Sequence, residues 1–411
     1  MRKINIIDLF AGCGGLSDGF AQTNNYHTIA AVEWDKAPIE CLRHRMKTKW
    51  KMSDADERIM RFDMQRTDEL LNGWENDNEY GTSKGLKYYV NNDGGQVDVI
   101  IGGPPCQAYS IAGRVRDANG MKDDYRNYLF ESYLEVVKEF KPKAFVFENV
   151  PGILSARPGN GELVVDKIKK AFNDAGYVLL EDLRNAIIDM TEYGIPQNRK
   201  RIIILGLKKK EYGEKKSAEL LEQFYYHLLP KHKVKDKVTV REAIGDLPKL
   251  YPLPKGKVER LNGKKYSHTF SDGKIKNHQP RYHSARDIKT FNLLCKDIAS
   301  GENKYTSTGA LKRLYTEITG KESNVHKFYV LRWDEPSNLI PAHLFKDGLR
   351  HIHPDPEQAR SITVREAARL QTFDDDFEFI SNSNLDYKMI GNAVPPKFAK
   401  IIAEAVKELL F

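Results

Sequence analysis

Residues 4–16 read Ile4-Asn5-Ile6-Ile7-Asp8-Leu9-Phe10-Ala11-Gly12-Cys13-Gly14-Gly15-Leu16. The first six predict a buried strand, the glycines predict a sharp turn, and a helix should follow to about Gln22. A strand, a glycine-rich turn and a helix in this order open an α/β unit of the Rossmann type. Ser17 stands where the third glycine of a G-x-G-x-x-G loop belongs, so we expect close backbone approach to a ligand without phosphates.

A second strand is predicted from Thr28 to Glu33, and Glu33 lies 19 residues beyond Gly14. A carboxylate in this position accepts hydrogen bonds from ribose hydroxyls in related units. Trp34 offers an indole ring for stacking on a purine, and Asp63 follows the end of a third predicted strand with another carboxylate. The alternative, which stays open, is that Glu33 is only an acid at the end of a strand and Trp34 only a ring of the core.

A third feature is the apolar run Val97–Ile101, which predicts a short buried strand. Two glycines and two prolines then forbid its continuation, so Cys106 sits on a rigid corner. The carboxyl ends of strands are where open α/β sheets place their chemistry, and a thiol held there suits nucleophilic attack. A buried inert cysteine is the alternative. The long polar stretch 108–126 predicts a loop that closes on substrate, or an ordinary surface loop.

Two further strands carry polar residues at one end. Glu148 follows four apolar residues, so we expect a partly desolvated carboxyl suited to holding a proton, with a solvated strand-end acid as the alternative. Gln197, Arg199 and Arg201 precede or enter the strand Ile202–Leu207. At a period of two they share one face, where two guanidiniums would clamp a base edge or a phosphate.

The remaining pattern predicts further elements. Helices are expected at 36–49, from Phe130, from Val164, at 361–370 and from 387 onward, and strands near 177–188. Residues 72–96 lack periodicity and predict an irregular surface insertion. The apolar stripe of the last helix needs a partner, which we expect to be the N-terminal sheet.

Charge is distributed unevenly along the 411 residues. The net charge is +8, and residues 207–265 alone hold 16 Lys and Arg against 8 Asp and Glu. Such a local excess is typical of a protein that binds a polyphosphate, although a solvated lysine-rich surface has the same composition. Farther along, aromatic, basic and imidazole groups alternate as on a nucleic-acid surface: Tyr266, His268, His278, Arg281, Tyr282, His283 and Arg286.

Several protein classes are disfavoured. The 4 cysteines match neither a disulfide framework nor a zinc signature, so we expect reduced thiols and no metal. No apolar run approaches the roughly 18 residues of a membrane helix. The opening residues also lack the pattern of a secretory leader, and we expect a cytoplasmic protein.

Taken together, these residues resemble the C5-cytosine DNA methyltransferase family. Six segments match in family order: Asp8-Leu9-Phe10-Ala11-Gly12-Cys13-Gly14-Gly15, Gly103-Pro104-Pro105-Cys106-Gln107, Glu148-Asn149-Val150, Gln197-Asn198-Arg199-Lys200-Arg201, Arg365-Glu366-Ala367-Ala368-Arg369-Leu370-Gln371 and Gly391-Asn392-Ala393-Val394-Pro395. The resemblance implies an α/β fold in which a Rossmann-like S-adenosylmethionine-dependent methyltransferase domain is interrupted by a smaller mixed target-recognition domain. The expected boundaries are 1–206 for the catalytic and cofactor-binding domain, 207–379 for target recognition and 380–411 for a segment completing the catalytic domain. Ala108-Tyr109 departs from the pairs common after Pro-Cys-Gln, which affects the loop and not the nucleophile.

The resemblance also assigns roles. It implies methyl transfer from S-adenosyl-L-methionine to C5 of a flipped-out cytosine in a specific double-stranded DNA sequence, through a covalent bond between Cys106 and C6. The catalytic residues it implies are Cys106, Glu148, Arg199 and Arg201. The cofactor residues are Phe10, Gly12, Gly14, Gly15, Glu33, Trp34, Asp63, Pro105, Asn392, Ala393 and Val394. The substrate-binding residues are Gln107, Ser110, Asn149 and Val150.

The family's commonest setting implies a monomeric, DNA-associated bacterial enzyme of a restriction-modification system, with a cognate endonuclease acting separately. Two alternatives differ in substrate or in class. One is a transfer RNA cytosine-C5 methyltransferase of the same family, which would need less than the long region 207–359. The other is an inactive DNA-binding module, which would have lost Cys106 or Glu148, although both are present.

Overall fold

The computed structural model describes residues 2–105, 129–157, 161–254, 257–261, 263–271, 273–322, 324, 327–346 and 348–411. The chain forms two compact units. The first comprises Met1–Tyr193, Arg199–Lys235 and Ala393–Phe411, and the second comprises Gly194–Asn198 and Asp236–Asn392. The functional boundaries expected at 206/207 and 379/380 stay a prediction.

The first unit contains a large mixed sheet and a separate hairpin. Its strands are β1 Ile4–Leu9, β2 Tyr26–Glu33, β3 Ile59–Arg61, β4 Trp74–Asp77, β5 Gly81–Ser83, β6 Val99–Gly102, β7 Ala144–Asn149, β8 Tyr177–Leu179, β9 Ile187–Asp189 and β10 Lys200–Lys208. The sheet order is β3-β2-β1-β6-β7-β10-β8, with β9 also paired to β10. The pairs from β3 to β7 are parallel, and β10 is antiparallel to each of its neighbours. This confirms the predicted α/β class.

The register of the parallel strands brings their carboxyl ends to one level. Leu9 lies opposite both Val32 and Gly102, and Gly102 lies opposite Phe147. The residues that follow these positions therefore meet along one edge of the sheet, as expected for the ligand side of an open α/β sheet. Glu33 and Glu148 are both there.

The first unit contains the predicted helices at 36–49, from Phe130 and from Val164, together with short helices that the sequence analysis did not predict. In chain order the helices of both units are α1 Gly15–Ala21, α2 Lys36–Thr48, α3 Ala55–Arg58, α4 Thr67–Asn72, α5 Gly85–Asn92, α6 Leu129–Phe140, α7 Val164–Asp174, α8 Lys209–Tyr212, α9 Glu214–Gln223, α10 Val240–Ile244, α11 Ala285–Ala299, α12 Thr308–Thr319, α13 Val364–Leu370, α14 Ser383–Asn392 and α15 Pro396–Leu410. A π-helical turn, Phe224–Leu228, follows α9, and short 3₁₀ turns lie at Pro151–Ser155, Leu183–Ala186, Met190–Tyr193, Leu229–His232 and Ala342–Phe345. None of the helices in the described part of the chain has the length and apolar character needed to cross a bilayer.

The C-terminal helix α15 packs mainly against the helix α1, where we expected the N-terminal sheet as its partner. A Cβ built on Gly19 of α1 would lie 2.4 Å from the Cβ of Ala399, so only glycine permits this approach of the two helices. The Tyr26 hydroxyl donates to the Ala403 carbonyl at 2.6 Å. The two ends of the chain thus build one unit.

The surface insertion predicted at residues 72–96 contains regular secondary structure that the sequence did not reveal. The hairpin β4–β5 and the helix α5 occupy this stretch, and the helix buries Leu86, Tyr89 and Val90. The strands have only four and three residues, too few for alternation to be readable in the sequence.

The second unit contains the helices α10 to α14 and the small hairpin β11 Glu259–Leu261 and β12 Lys264–Tyr266. Its core includes Phe291 and Leu294 of α11, a helix the sequence analysis missed. Thr363 caps α13 in a reciprocal capping box with Glu366, and Glu366 also forms a buried ion pair with Arg360 at 2.6 Å.

Candidate active site at the carboxyl edge of the sheet

The strand β6 ends where the predicted nucleophile loop begins. A Cβ built on Gly103 would lie 2.9 Å from Oε2 of Glu148, so any other residue at Gly103 would require the Glu148 carboxylate to shift. Glycine therefore lets the chain that leads to the predicted nucleophile pass against the Glu148 carboxylate. Outside the described residues lie Cys106, Gln107 and Ser110.

Glu148 is largely buried and forms an ion pair with Arg201. Nε of Arg201 lies 2.9 Å from Oε1 of Glu148, and the two side chains are 13% and 12% exposed. The sheet explains this pairing, because Ile203 of β10 lies opposite Glu148 of β7. Arg201 is two residues away on the same face, within diagonal reach of the carboxylate. A charge-assisted bond in a shielded place fixes the orientation of Glu148.

The neighbouring Asn149 is buried and joins the ends of two strands. Its amide nitrogen donates to the Pro104 carbonyl at 3.2 Å, and its amide oxygen accepts from the N–H of Val150 at 2.9 Å. Asn149 thereby fixes the position of Pro104, two residues before Cys106. The assignment of Asn149 and Val150 to substrate binding stays a prediction.

Gln197, Arg199 and Arg201 make different contacts. Because β10 begins at Lys200, the expected period of two does not extend back to Gln197 and Arg199. Gln197 belongs to the second unit, where its amide donates to the Leu370 carbonyl at 2.9 Å. Arg199 is buried and donates to the Ala393 carbonyl at 2.8 Å. The sequence pattern missed this internal use of Arg199.

The glycine-rich turn after β1 has the backbone that the sequence predicted. Phe10 and Gly12 adopt left-handed conformations with φ of 59° and 57°, and a Cβ on Gly12 would meet nothing within 4 Å. Phe10 is not a glycine, so its conformation costs energy and marks a constrained site. At Gly15 the opposite holds, because a Cβ there would lie 2.2 Å from the Val394 carbonyl oxygen. The turn is open on one side and closely packed on the other.

Glu33 organises this turn through backbone donors. Its Oε2 accepts from the N–H of Gly12, and its Oε1 accepts from the N–H groups of Trp34 and Asp35, each at 2.9 Å. Burial raises the pKa of Glu33, and these three donors oppose that rise. A carboxylate has about four acceptor positions, so Glu33 keeps capacity for a hydroxyl donor.

Asp8 and Ser17 form a buried pair that the site prediction did not include. The Ser17 hydroxyl donates to Oδ2 of Asp8 at 2.6 Å, and both residues are fully buried. Burial raises the pKa of Asp8 to about 7, and the bond from Ser17 opposes the rise. The unusual Ser17 in the glycine pattern was the sequence signal for this pair.

The other predicted cofactor residues are placed differently. The Trp34 side chain is 50% exposed beside Glu33, and Oδ1 of Asp63 accepts from the N–H of Gln65 at 2.9 Å. Asn392 is the last residue of α14 and belongs to the second unit, whereas Ala393 and Val394 belong to the first.

The histidines of the stretch predicted as a nucleic-acid surface do not lie on the surface. His268, His278 and His283 are buried, and burial lowers the pKa of each imidazole. Tyr282 and Arg286 of the same stretch are exposed. Among the described residues, no three His, Cys, Asp or Glu side chains cluster as metal ligands would.

Comparison with known proteins gives a match over nearly the whole chain. A model of the family described as C-5 cytosine-specific DNA methylase matches residues 4–74 and 78–408. The chain belongs to this family. The methylase is therefore a DNA (cytosine-5-)-methyltransferase. The family match favours DNA over transfer RNA as its substrate.

Individual relatives agree with this result. The methylase is 34% identical to the type II methyltransferase M.Bpa9945I of Bacillus paralicheniformis, over 98% of the chain and 99% of the relative. It is 30% identical to the type II methyltransferase M1.HphI of Haemophilus parahaemolyticus, over 99% and 87%. A crystal structure of a prophage-encoded E. coli protein described as a DNA modification methyltransferase shares the fold, with a TM-score of 0.61, 24% identity and 99% coverage of both chains.

Family and fold imply that the methylase uses S-adenosylmethionine, and the turn fits a nucleoside ligand. Glu33 retains acceptor capacity for ribose hydroxyls, and Trp34 exposes an aromatic face beside it. Gly12 leaves open space at the turn, where any other residue would carry a Cβ. An acceptor for the sugar hydroxyls and an aromatic face for the purine are the groups that this cofactor needs.

Proposed function

We propose that the protein is the modification methyltransferase of a type II restriction-modification system. It transfers a methyl group from S-adenosylmethionine to C5 of a flipped-out cytosine in one double-stranded DNA sequence. The observation that carries this proposal is the contact of Glu148 with both Gly103 and Arg201. This contact sets an oriented carboxylate against the segment that leads into Cys106.

The chemistry requires a nucleophile because C5 of cytosine is too electron-poor to accept an alkyl group directly. The Cys106 thiolate forms a bond to C6, and the electron pair of the C5–C6 double bond becomes available at C5. Glu148 donates a hydrogen bond or proton to N3 as charge develops there. When bound, S-adenosylmethionine supplies an electrophilic methyl group on a sulfonium. Loss of the C5 hydrogen as a proton, followed by departure of the Cys106 sulfur, restores the aromatic ring and the free thiolate.

Arginine side chains support this arrangement. Arg201 holds Glu148 in one orientation through their ion pair, and it adds positive charge on the side of the reacting ring. Arg199 supports the arrangement indirectly, because its guanidinium donates a hydrogen bond to the Ala393 carbonyl. A thiol with an ordinary pKa of about 8.5 is mostly protonated at neutral pH, so nearby positive charge favours the nucleophilic thiolate.

The proposed cofactor site surrounds the turn after β1. Glu33 accepts the ribose hydroxyls, Phe10 and Trp34 flank the adenine, and Asp63 accepts the adenine amine. The remaining members of the proposed site are Gly12, Gly14, Gly15, Pro105, Asn392, Ala393 and Val394. Asp8 lies beneath the turn and supports its backbone through Ser17.

Sequence recognition is assigned to residues 207–379, between the catalytic domain 1–206 and its completing segment 380–411. The basic excess of residues 207–265 supports contact with DNA phosphates. Access to C6 requires the cytosine to leave the stack, at a cost of about a few kcal/mol that backbone contacts offset. The protein acts as a monomer on bacterial DNA, and a separate endonuclease cleaves the same unmethylated sequence.

Bisulfite sequencing of host DNA tests this proposal. Expression of the wild-type protein should protect cytosines in one short motif, and the Cys106→Ser variant should protect none. Cys295→Ser is the matched control, because Cys295 is a buried thiol of the second unit. Protection by Cys106→Ser equal to that of the wild type would overturn the assignment of the nucleophile.

A further inference from the structure

The second unit contains a cleft that no step of the proposed reaction uses. Its volume is about 790 Å³, which is within the range of sites that hold a small organic ligand. The strand β12, the segment 277–283, α11 and α14 all contribute to its lining. Every lining residue belongs to the second unit, whereas Glu148 and Arg201 belong to the first.

The lining of the cleft carries an excess of positive charge. Lys264, Lys265, Arg286 and Lys346 line it, and all four are exposed to solvent. Asp287 offsets part of this charge, since its Oδ1 lies 3.6 Å from a guanidinium nitrogen of Arg286. The remaining lysines favour a ligand with an anionic group such as a phosphate.

One wall of the cleft is held in place by Arg281. Its guanidinium donates to the carbonyl oxygens of Leu344 at 2.8 Å and Phe345 at 3.1 Å, and it lies 3.9 Å from the centroid of the Tyr387 ring. The Tyr387 hydroxyl in turn donates to the Ile362 carbonyl at 2.7 Å. A cleft whose wall is ordered before binding loses less conformational entropy when a ligand enters.

Two buried oxygen atoms of the lining residues lack hydrogen-bond partners. Asp386 is 3% exposed, and its Oδ1 has no partner within the described part of the chain. The same holds there for Oε1 of Gln279. Burial raises the pKa of Asp386 to about 7, although the backbone of Ser381 and the charge of Lys264 oppose the rise. Because a buried acceptor without a donor is destabilising, the cleft favours a ligand that brings N–H groups.

The lysines and the buried acceptors together restrict the class of ligand. A simple cation would suit Asp386 but is repelled by the lysines, and a simple anion brings no N–H group. Tyr282, which is 50% exposed and lines the same cleft, adds an aromatic face. A nucleotide of cytosine or adenine combines a phosphate, a flat ring and an exocyclic amine.

We propose that this cleft is a nucleotide-binding site for a cytosine or adenine base. Asp386 and Gln279 accept hydrogen bonds from the exocyclic amine, whose two N–H groups equal these acceptors in number. The lysines bind the phosphate, and Tyr282 stacks on the base. Since only 3% of Asp386 is exposed, a narrow group such as an amine is needed to reach it. A nucleotide of a DNA strand and a free nucleotide share this chemistry, and the site does not depend on methyl transfer.

Ligand-observed NMR titration of the whole protein with nucleoside monophosphates tests the site. Saturating S-adenosylhomocysteine is added so that adenine does not enter the proposed cofactor site. Deoxyadenosine and deoxyinosine monophosphates differ in the amino group, as do deoxycytidine and deoxyuridine monophosphates. In at least one pair the amino nucleotide should bind about tenfold more tightly, as expected for a hydrogen bond to a charged group. Equal affinities within both pairs would overturn the proposal.

Substitution of Asp386 tests the contact with the amine. Asp386→Ala removes a buried acceptor without a partner, so the variant should fold, and thermal unfolding checks this. The variant should lose the preference for the amino nucleotide. Asp334→Ala, at an exposed carboxylate outside the cleft, is the control and should keep the preference. A preference that survives in folded Asp386→Ala would contradict the site.

Substitution of two lysines tests the contact with the phosphate independently of Asp386. The double variant Lys264→Gln, Lys265→Gln should weaken all four nucleotides by a common factor and leave the corresponding nucleosides unchanged. Lys289→Gln, Lys296→Gln is the matched control, because both lysines are exposed on α11 and neither lines the cleft. Nucleosides weakened as much as nucleotides would overturn the assignment of the phosphate.

Competition with DNA oligonucleotides identifies the source of the nucleotide. A single-stranded oligonucleotide that displaces the monophosphate supports a nucleotide of a DNA strand, whereas displacement by monophosphates alone supports a free nucleotide. Wild-type protein that binds nucleotides in the cleft but methylates no DNA would contradict the proposed function and leave this site standing.

Discussion

Arg201 Nε lies 2.9 Å from Glu148 Oε1, across two antiparallel strands. Neither side chain is fully buried, so the pair keeps access to a ligand at the edge of the sheet while water is mostly excluded. An oriented, shielded carboxylate of this kind suits hydrogen bonding to the N3 side of a cytosine ring. A substitution that removes the carboxylate and keeps the shape of the side chain tests the role of Glu148.

Glu148→Gln should lower kcat by about 10²–10⁴-fold, the range for loss of a general acid, because an amide cannot supply the proton. A radiolabelled methyl-transfer assay on DNA measures this loss. Glu181→Gln, at an exposed position of the first unit, is the control and should keep full activity. An active Glu148→Gln enzyme would show that another group protonates the ring.

Asp8→Asn should make the protein more stable at alkaline pH. The pKa of Asp8 is raised to about 7 by burial, so the folded protein holds a proton that the unfolded chain releases near pH 4. The free energy of unfolding therefore falls as pH rises from about 4 to 7, and the total fall is at most about 4 kcal/mol. Urea unfolding of wild type and variant at pH 5 and pH 8 measures this difference. The exposed Asp68→Asn control retains Asp8 and should show the pH dependence of the wild type, and equal slopes for Asp8→Asn and wild type would contradict the prediction.

Gly15→Ala should destabilise the first unit strongly, because the new Cβ would lie 2.2 Å from a backbone oxygen of Val394. Neither backbone segment can move without shifting α1 or the chain entering α15. Gly309→Ala is the contrasting control: its Cβ meets only the end of the Arg313 side chain at 3.5 Å, within α12. We expect this control to gain about 0.5–1 kcal/mol. Thermal unfolding measures both variants, and a Gly15→Ala protein as stable as the wild type would contradict the close approach.

Acid should destabilise the second unit through its buried histidines. Burial lowers the pKa of His283 to about 3, and its Nε2 accepts from the Ser361 N–H at 3.1 Å. Below about pH 6.5 the unfolded imidazole binds a proton that the folded one does not, so stability is lost as pH falls toward 3. One such proton contributes a slope of about 1.4 kcal/mol per pH unit. Urea unfolding should show a shallower slope for His283→Gln, with the exposed His227→Gln unchanged, whereas identical slopes for all three proteins would contradict the assignment.

Much of the fold was readable because its strands are short apolar runs with clear ends. β1 has its predicted bounds, Ile4–Leu9, and the predicted glycine turn follows it, with Gly12 in a left-handed conformation. The parallel order then follows from the alternation of strands and helices. The carboxyl edge of the sheet, and hence the neighbourhood of Glu33 and Glu148, was predictable from the same pattern.

Other features depend on contacts between distant parts of the chain. The hairpin near Trp74 is fixed by stacking on Phe62, which no local periodicity reveals. Whether His283 faces solvent or core is decided by partners such as Ser361, 78 residues away. By contrast, α11 had readable signals, since Ser284 and Asp287 form a capping box before an apolar stripe. The basic composition of that region drew attention to charge, and the capping box and the apolar stripe were overlooked.

We expect the sulfur of Cys106 to bond to C6 of cytosine during methyl transfer. A duplex carrying 5-fluorocytosine in the recognised motif tests it, because fluorine at C5 prevents the proton loss that precedes release of the enzyme. With S-adenosylmethionine present, mass spectrometry should find a permanent adduct of protein and DNA, with the modification on the peptide containing Cys106. Turnover on ordinary cytosine without any such adduct on the fluorinated duplex, or an adduct on another residue, would contradict the account.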